Sequence, residues 1–546
     1  MADPPSAATR AAGGIAAAAG LIAVVTLVSR AVGFGRTLVF SEAVRADGIG
    51  SIYNSVNALP NVLYEVAAGG VLAAVTVPVI AGHLGRGDAE RAHASASALL
   101  TWSLTLLVPL AALLAVAAPW LASALVDTRQ PGAAAAGTTM LRIFATQVPL
   151  YGVGIVLAGL LQAHRRFLAA ALAPLLSSVV VIGAYLVYGS LVEGATAPAA
   201  VSHGAVLLLA WGTTAGVVAL SIPLLFPVAR AGWRWRPTWR FPAGDARRSA
   251  GLAGAGVIAL LAQQAAVVAT IWVANHRGDG GTQSVYQYVQ AVYLLPYAVL
   301  AVPIATSAFP ALAQGHAAGT QLGPVIARAS RAVLLLTAAA AAVLMAVSPQ
   351  VGRFFAALDA RRGGGRVSAG SLSDLGSALE AYAPGVVGFG LAALLTRAVY
   401  VRGRPYLAAA GMAAGWLVAA VVPLAVLRPG AGPAAALRTL GWSSTAGMWL
   451  AAVLLLVLVR RSWGAGATSG LARAAAAAGL GGAAAFLVGS VAGRVLAWTG
   501  IWGFMASAAL SGGLAMGAFV VFGRLVDTAG FDEATARLRR RRRGPS

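Results

Sequence analysis

Long apolar segments separated by short polar stretches follow one another along the whole chain. A helix needs about 20 apolar residues to cross a bilayer, and the sequence contains fourteen segments of that kind. Glycines and Pro60 interrupt the first two. The pattern predicts an all-α polytopic membrane protein of about fourteen transmembrane helices. The predicted spans lie near 12–40, 50–81, 95–125, 137–162, 167–190, 200–228, 250–275, 284–314, 329–351, 378–400, 405–427, 439–459, 471–493 and 500–523.

The apolar segments also repeat in order. "RRFLAAAL" matches "RPYLAAAG", "LPNVLYEV" matches "LPYAVLAV" and "LLAVAAP" matches "VLMAVSP", each at an offset of roughly 230–240 residues. A parallel duplication with a substrate site between the halves is a transporter architecture. We therefore predict two pseudo-symmetric six-helix lobes and two C-terminal helices. The predicted parts are an N-lobe (1–228), a cytoplasmic linker (229–249), a C-lobe (250–459), two further helices (460–523) and a basic cytoplasmic tail (524–546).

Composition narrows the chemistry. The chain is 59% hydrophobic and only 10% charged, it has no cysteine, and all 39 of its basic residues are arginine. Disulfides, thiolate metal sites, cysteine nucleophiles and Schiff-base lysines are therefore excluded, and the six histidines are not spaced as metal ligands. We predict no cofactor, no metal site and no enzymatic activity.

The net charge of +23 follows the predicted topology. With the N-terminus inside, the cytoplasmic segments hold 18 arginines before the tail and the outer segments hold 10, as the positive-inside rule requires. This bias predicts a plasma-membrane protein with both termini in the cytoplasm. The linker "WRWRPTWRF" and the tail "ARLRRRRRGPS" are typical of contact with the bilayer interface and anionic lipid. We expect membrane lipids, and no nucleic acid, as partners.

Two arginines lie inside the first predicted span, in "SRAVGFGR". A charge at a helix centre costs at least roughly 2.5–3.5 kcal/mol on insertion, so Arg30 and Arg36 indicate a wet cavity. Six residues separate them by about 9 Å and 240° on a straight helix. Gly33 and Gly35 are the predicted hinge that would let both guanidiniums converge. Guanidinium suits phosphate, which it binds with two parallel hydrogen bonds, whereas the alternative is that both side chains extend to an interface.

Two carboxylates in other spans are candidates for a cavity or for coupling. Glu65 follows Pro60 in the second span, with Gly69 and Gly70 one turn later as further hinge positions. Glu380 lies near the end of the tenth span. Each could neutralise an arginine or carry a proton, or serve only as a structural counter-ion.

The segment "SRAVGFGR" and the residues that follow it resemble the start of the MurJ/MviN family of lipid II flippases. In that family an S-R-x-x-G-F-x-R segment in the first helix precedes an L-P-N segment, here ending in Asn61, and a V-P-V stretch. "QAHRRFLAAALAP" and "LLTRAVYVRGRPYLAA" resemble two later helix junctions, and "LLPYAVLAVPIATSAFPAL" resembles the eighth helix. The resemblance implies a fourteen-helix exporter of the MOP superfamily, of the actinobacterial type, that moves undecaprenyl-pyrophosphate-linked peptidoglycan precursor by alternating access. It implies pyrophosphate binding by Arg30 and Arg36.

The chain departs from the family pattern at two positions. Well-studied members have an arginine after L-P-N-x-x, where this chain has Tyr64 and then Glu65. They have another in helix 8, where this chain has Ala291 beside Gln290. The resemblance therefore implies that either the coordination of the substrate or the substrate itself differs here, with Tyr64, Glu65 and Gln290 as candidate replacements. Asn61 is a further candidate for the cavity or for coupling.

Two other functions remain open from the sequence. The chain could export another lipid-linked oligosaccharide or a small molecule, or it could be a non-transporting scaffold for cell-wall machinery. Cell-wall synthesis or division proteins are candidate partners in either case. A drug-cation exporter would need acidic side chains in its cavity, and only Glu65 and Glu380 are available.

Overall fold

The structure is a computed structural model of the 546-residue chain. It describes residues 7–66, 73–242, 245–306 and 320–532, together with 312, 314 and 318. The longer regular elements of these residues are all helices. In chain order they are α1 (Ala7–Ala43), α2 (Ile49–Tyr64), α3 (Ala73–Leu84), α4 (Ala89–Leu125), α5 (Ala133–Ala145), α6 (Gln147–Ala163), α7 (Phe167–Val192), α8 (His203–Ser221), α9 (Leu225–Ala229), α10 (Asp245–His276), α11 (Thr282–Pro296), α12 (Gly323–Arg361), α13 (Leu375–Tyr382), α14 (Gly385–Val401), α15 (Pro405–Val426), α16 (Pro433–Trp463), α17 (Leu471–Val495) and α18 (Gly500–Val526).

The lengths and apolar character of these helices confirm the polytopic membrane fold. Twelve helical segments of the described residues are long and apolar enough to cross a bilayer, and a bent pair makes a thirteenth. These thirteen correspond to thirteen of the predicted spans. The remaining one, near 50–81, contains residues 67–72, which lie outside the described residues.

The tenth predicted span is broken rather than straight. Residues Gly370–Tyr382 and Gly385–Val401 form two helical pieces that meet at an angle of 44°. Pro384 directly precedes α14. Proline has no N–H and its ring collides with the carbonyl one turn earlier, so the helix cannot continue straight through this position.

The chain forms two compact units. Unit 1 comprises 1–45, 56–123 and 131–254, and unit 2 comprises 46–55, 124–130 and 255–546. The predicted lobe and linker boundaries remain predictions. In unit 1, α7 packs against both α1 and α8. In unit 2, the 39-residue helix α12 packs against α14, α17 and α18.

One side of α4 shows how the fold meets lipid. Leu106, Leu113, Val116 and Trp120 are all more than 60% exposed. They recur at helical spacing and therefore form an apolar stripe. A continuous exposed apolar surface marks a site of membrane contact or interaction. The molecule is a multi-pass membrane protein.

Candidate functional site

The two arginines of the first span lie on a single helix that runs without a break from Ala7 to Ala43. Arg30 is exposed and Arg36 is partly buried. Among the described residues, no carboxylate forms an ion pair with either guanidinium. On an unbroken helix the two Cα atoms are about 9 Å apart along the axis, and the two side chains point in different directions. Each guanidinium is therefore free to take an anionic ligand.

The glycines between these arginines are not required for close packing. A Cβ added at Gly33 or Gly35 would have nothing within 4 Å. The helix is continuous at both positions, and their role as a hinge remains a prediction. No neighbouring atom requires a glycine at either position, so close packing does not explain these two residues. The remaining property of glycine is its backbone flexibility.

Helix α2 carries the second group of predicted residues. Pro60 lies within the helix, and the Asn61 amide donates a hydrogen bond to the Asn57 carbonyl at 2.9 Å. The last turn widens into a π turn at residues 65–66. Single π turns are rare in proteins and are found frequently at functional sites.

The candidate replacements in α2 differ in exposure. The Tyr64 ring lies 4.7 Å from the Tyr151 ring, centroid to centroid, at a tilt of 45°. Glu65 is exposed. The predicted hinge glycines Gly69 and Gly70 lie outside the described residues.

Gln290 belongs to a tyrosine cluster in unit 2 that was not predicted from the sequence. The Gln290 side chain lies beside Tyr382. The Tyr382 ring lies 5.5 Å from Tyr293 and 6.1 Å from Tyr286. A signal was present, since 286 and 293 are seven residues apart and share a helix face. The structure therefore gives Gln290 a neutral, aromatic environment.

Glu380 has a polar partner of its own. The Ser348 hydroxyl on α12 donates a hydrogen bond of 2.8 Å to the Glu380 carboxylate. The predicted residues divide between the units: Arg30, Arg36, Asn61, Tyr64 and Glu65 are in unit 1, and Gln290 and Glu380 are in unit 2.

A polar network around Asp359 holds the segment 46–55 within unit 2. The Asp359 carboxylate is fully buried. It accepts hydrogen bonds from the Ala46 backbone N–H at 2.9 Å and from the Ser368 N–H and hydroxyl at 2.6 and 2.7 Å. Sequence reasoning missed this network because the acceptor and the donor lie more than 300 residues apart.

Asn275 forms the second half of this network. Its amide donates to the Ser55 hydroxyl at 2.8 Å and to the Leu125 carbonyl at 2.7 Å. Close by in the sequence, the Asn54 amide donates to the Ser284 hydroxyl at 3.0 Å. Both short segments of unit 2 that come from the first 130 residues are thus held by side-chain amides.

Charged groups cluster beside these segments. Arg129 forms a 2.7 Å ion pair with Asp127 and donates to the Gly278 carbonyl, and the hydrogen bond from Arg129 to Asp127 raises the pKa of the guanidinium further. Burial raises the pKa of the Asp279 carboxyl, and the neighbouring Asp47 adds to this effect.

Comparisons with known proteins identify the family. The model of the lipid II flippase MurJ family matches residues 40–511. Among solved structures, "Lipid II flippase MurJ, inward closed conformation" superposes with a TM-score of 0.69 at 15% identity, covering 92% of this chain and 98% of that one. An inward-facing multidrug resistance MATE transporter of the MOP superfamily gives 0.63 at 16% identity, with coverages of 82% and 99%.

A third solved structure also matches. A MOP-superfamily transporter from Pyrococcus furiosus gives a TM-score of 0.59 at 17% identity, with coverages of 82% and 96%. At these identities the solved structures establish the fold, and the family assignment comes from the 472-residue match, which spans most of the 546-residue chain. The chain belongs to the MurJ family of lipid II flippases.

Proposed function

We propose that this protein moves lipid II, the undecaprenyl-pyrophosphate-linked peptidoglycan precursor, from the inner to the outer leaflet of the plasma membrane by alternating access. The family match supports the activity. The observation that carries the site is the pair of guanidiniums on α1 that no described carboxylate neutralises. Because the matched region begins at residue 40, the roles of Arg30 and Arg36 rest on this geometry and on the first-helix resemblance.

A pyrophosphate group carries the negative charge that neutralises two arginines. It offers several oxygens along two linked phosphates, and guanidinium binds such oxygens with two parallel hydrogen bonds. The two arginines can hold it together if the helix bends at Gly33 and Gly35, and one at a time if it does not. Convergence on one ligand is the form that we propose.

Neutral polar side chains lie at or beside the positions of the two absent family arginines. Tyr64 lies against Tyr151, and Gln290 lies against Tyr382. We propose that coordination in this chain relies on two arginines assisted by hydroxyl and amide donors. With fewer charges at the site, binding should depend less on ionic strength than in a site with four arginines.

The orientation and the remaining partners are part of the same proposal. The excess of arginine in alternate segments supports two cytoplasmic termini. The arginine-rich tail, which lies outside the described residues, supports contact with anionic lipid through its charge. Cell-wall synthesis or division proteins stay candidate partners.

The test is rescue of cells depleted of their own lipid II flippase. Wild-type protein should restore growth, whereas Arg30→Ala, Arg36→Ala and the double variant should not, although they insert normally. Arg404→Ala is the matched control, because Arg404 is an exposed arginine at the start of α15. Normal growth with the double variant would contradict the assigned site.

A transport assay distinguishes the activity from its alternatives. Reconstituted vesicles should translocate labelled lipid II but not a cationic dye. Transport of the dye alone would indicate a drug exporter. Growth rescue without transport of either probe would indicate a scaffold.

A further inference from the structure

Residues 233–241 form an extended segment, the strap, that lies along helix α4. The backbone N–H of Arg236 donates to the Ser97 hydroxyl at 3.3 Å, and the indole of Trp239 donates to the Thr105 hydroxyl at 3.1 Å. Residues 97, 101 and 105 are four apart and therefore share one face of α4. Three successive turns of α4 thus each offer the strap a hydroxyl group.

Thr101 is the central attachment point. Its hydroxyl accepts hydrogen bonds from the Trp235 indole at 3.3 Å and from the Thr238 backbone N–H at 3.1 Å. It donates its own proton to the Ser97 carbonyl at 2.8 Å. A hydroxyl can donate once and accept twice, so that of Thr101 is fully used, and the strap is held in one register on α4.

One tryptophan anchors the strap and the others face outward. Trp233 is only 3% exposed, lies in the core of unit 1 and donates to the His93 carbonyl. Trp235 and Trp239 are 45% and 61% exposed. Because their indole N–H groups are bound to threonines, the strap presents mainly the apolar parts of these rings outward.

The depth of the strap follows from α4 itself. Two exposed tryptophans, Trp102 and Trp120, are 18 residues apart, which is about 27 Å along a helix and close to the roughly 30 Å of a bilayer core. The lipid-facing stripe that includes Leu106 lies between them. The Trp102 indole donates to the Trp239 carbonyl at 2.9 Å. The strap therefore lies at one rim of the apolar band, where tryptophan is enriched.

Three arginines alternate with these rings. Arg234, Arg236 and Arg240 are exposed, and no carboxylate among the described residues pairs with them. We propose that the strap is a binding surface for an anionic phospholipid, with the headgroup phosphate held by these guanidiniums and the upper acyl chains against Trp235 and Trp239. The inference does not depend on lipid II transport.

The experiment titrates the full-length protein in phosphatidylcholine nanodiscs with phosphatidylglycerol and follows thermal unfolding. Phosphatidylglycerol should raise the Tm of the wild type above its value in phosphatidylcholine alone, which is the preference that the variants test. Each single change among Arg234→Gln, Arg236→Gln and Arg240→Gln should weaken this binding about fivefold, and the triple change should abolish the preference. The matched control is a triple change of three other exposed arginines, Arg328→Gln, Arg404→Gln and Arg461→Gln, which should keep it.

A second variant tests the geometry with every charge in place. Thr101→Val with Thr105→Val removes the attachment points, so it should accelerate tryptic cleavage after Arg240 and reduce the preference for phosphatidylglycerol. Thr138→Val is its control, because the Thr138 hydroxyl bonds only within its own helix.

Three results would overturn the proposal. The first is an unchanged preference in the triple variant of the strap. The second is an equal loss in the control triple variant, which would mean that net charge alone attracts the lipid. The third is equal stabilisation by inorganic phosphate at matched ionic strength, which would indicate a site for soluble anions.

Discussion

Replacing Asp359 with asparagine should loosen the segment 46–55 from the rest of unit 2. The buried carboxylate accepts one hydrogen bond from Ala46 and two from Ser368. Asparagine offers a single acceptor oxygen. Its NH2 group is itself a donor and would point at one of the donors that the carboxylate accepts in the native protein. Whichever way the amide is turned, at least one of these donors loses its acceptor.

The size of the effect follows from burial. The Ala46 N–H keeps the Ser368 hydroxyl as a second acceptor at 3.1 Å. The Asp359 side chain is nevertheless fully buried, so water does not readily replace an acceptor oxygen lost at this position in the closed state. An unsatisfied buried donor costs about 1–3 kcal/mol. At about 1.4 kcal/mol per factor of ten, the opening equilibrium of the segment should rise roughly 5- to 150-fold. Asp359→Ala removes all the acceptors and should exceed this range.

The absence of cysteine makes this equilibrium measurable. Ser51 is 4% exposed within the same segment, and Ser51→Cys introduces the only thiol of the chain. A membrane-impermeant maleimide, applied to each side of the membrane in turn, should label it only when the segment opens. The labelling rate with Asp359→Asn, relative to the rate without it, then reports the change in the equilibrium.

A control separates local opening from general destabilisation. Asp88→Asn changes a partly exposed acid in unit 1 that pairs with Arg91, and it should leave labelling at position 51 unchanged. If Asp359→Asn folds normally and labels at the unaltered rate, the carboxylate does not hold this segment. If both variants label faster, the effect is global and the reasoning fails.

Three further changes test other parts of the molecule. Gly33→Ala with Gly35→Ala meets no neighbouring atom and should raise helix stability by about 1 kcal/mol per site, yet slow lipid II transport in vesicles if the helix bends there; unchanged transport would exclude the hinge. Asp279→Asn should raise the Tm at pH 7.5 but not near pH 4. Burial raises the pKa of Asp279 above its ordinary value, so the folded protein binds this proton more tightly than the unfolded chain does. The stabilisation that this gives is fully present below the ordinary pKa and is lost as pH rises through the pKa of the folded protein; a pH-independent gain would contradict this. Gly447→Ala places a Cβ against the Gly415 carbonyl and should destabilise by about 1–3 kcal/mol, in contrast to the change at position 35; an unchanged Tm would argue against this close approach.

The membrane spans were predictable because length and apolarity decide them locally. A run of about 20 apolar residues has few alternatives to a spanning helix. The breaks depend on finer features. Pro384 interrupts the tenth span, and Thr146 separates α5 from α6, where its hydroxyl donates to the Ile143 carbonyl. Both residues are visible in the sequence, but an average over twenty residues does not register them.

The polar contacts were far less predictable. A hydropathy profile does not show that the hydroxyls of Thr101 and Thr105 face a tryptophan-rich segment more than 130 residues later. Nor does it show that the Ala46 N–H reaches Asp359. Such pairings depend on tertiary geometry, and a single sequence carries no record of which distant residues meet. The arginines of the first span are conspicuous in the sequence, because a charge in an apolar run stands out wherever it lies, but their role in binding remains a prediction.

Within the part of the chain that the structure describes, no carboxylate pairs with Arg30 or Arg36, and this bears on how a ligand is exchanged. A resident carboxylate would offset the cost of holding a charge in the membrane, but an incoming phosphate would then have to displace it in every cycle. Breaking an ion pair at Arg36, which is partly buried, would cost free energy, so such a site would bind its substrate more weakly. A guanidinium without an internal counter-ion avoids this competition, since a transient anion is the group that completes it. The lack of a described counter-ion favours an anionic ligand on grounds separate from the family match, which begins four residues after Arg36.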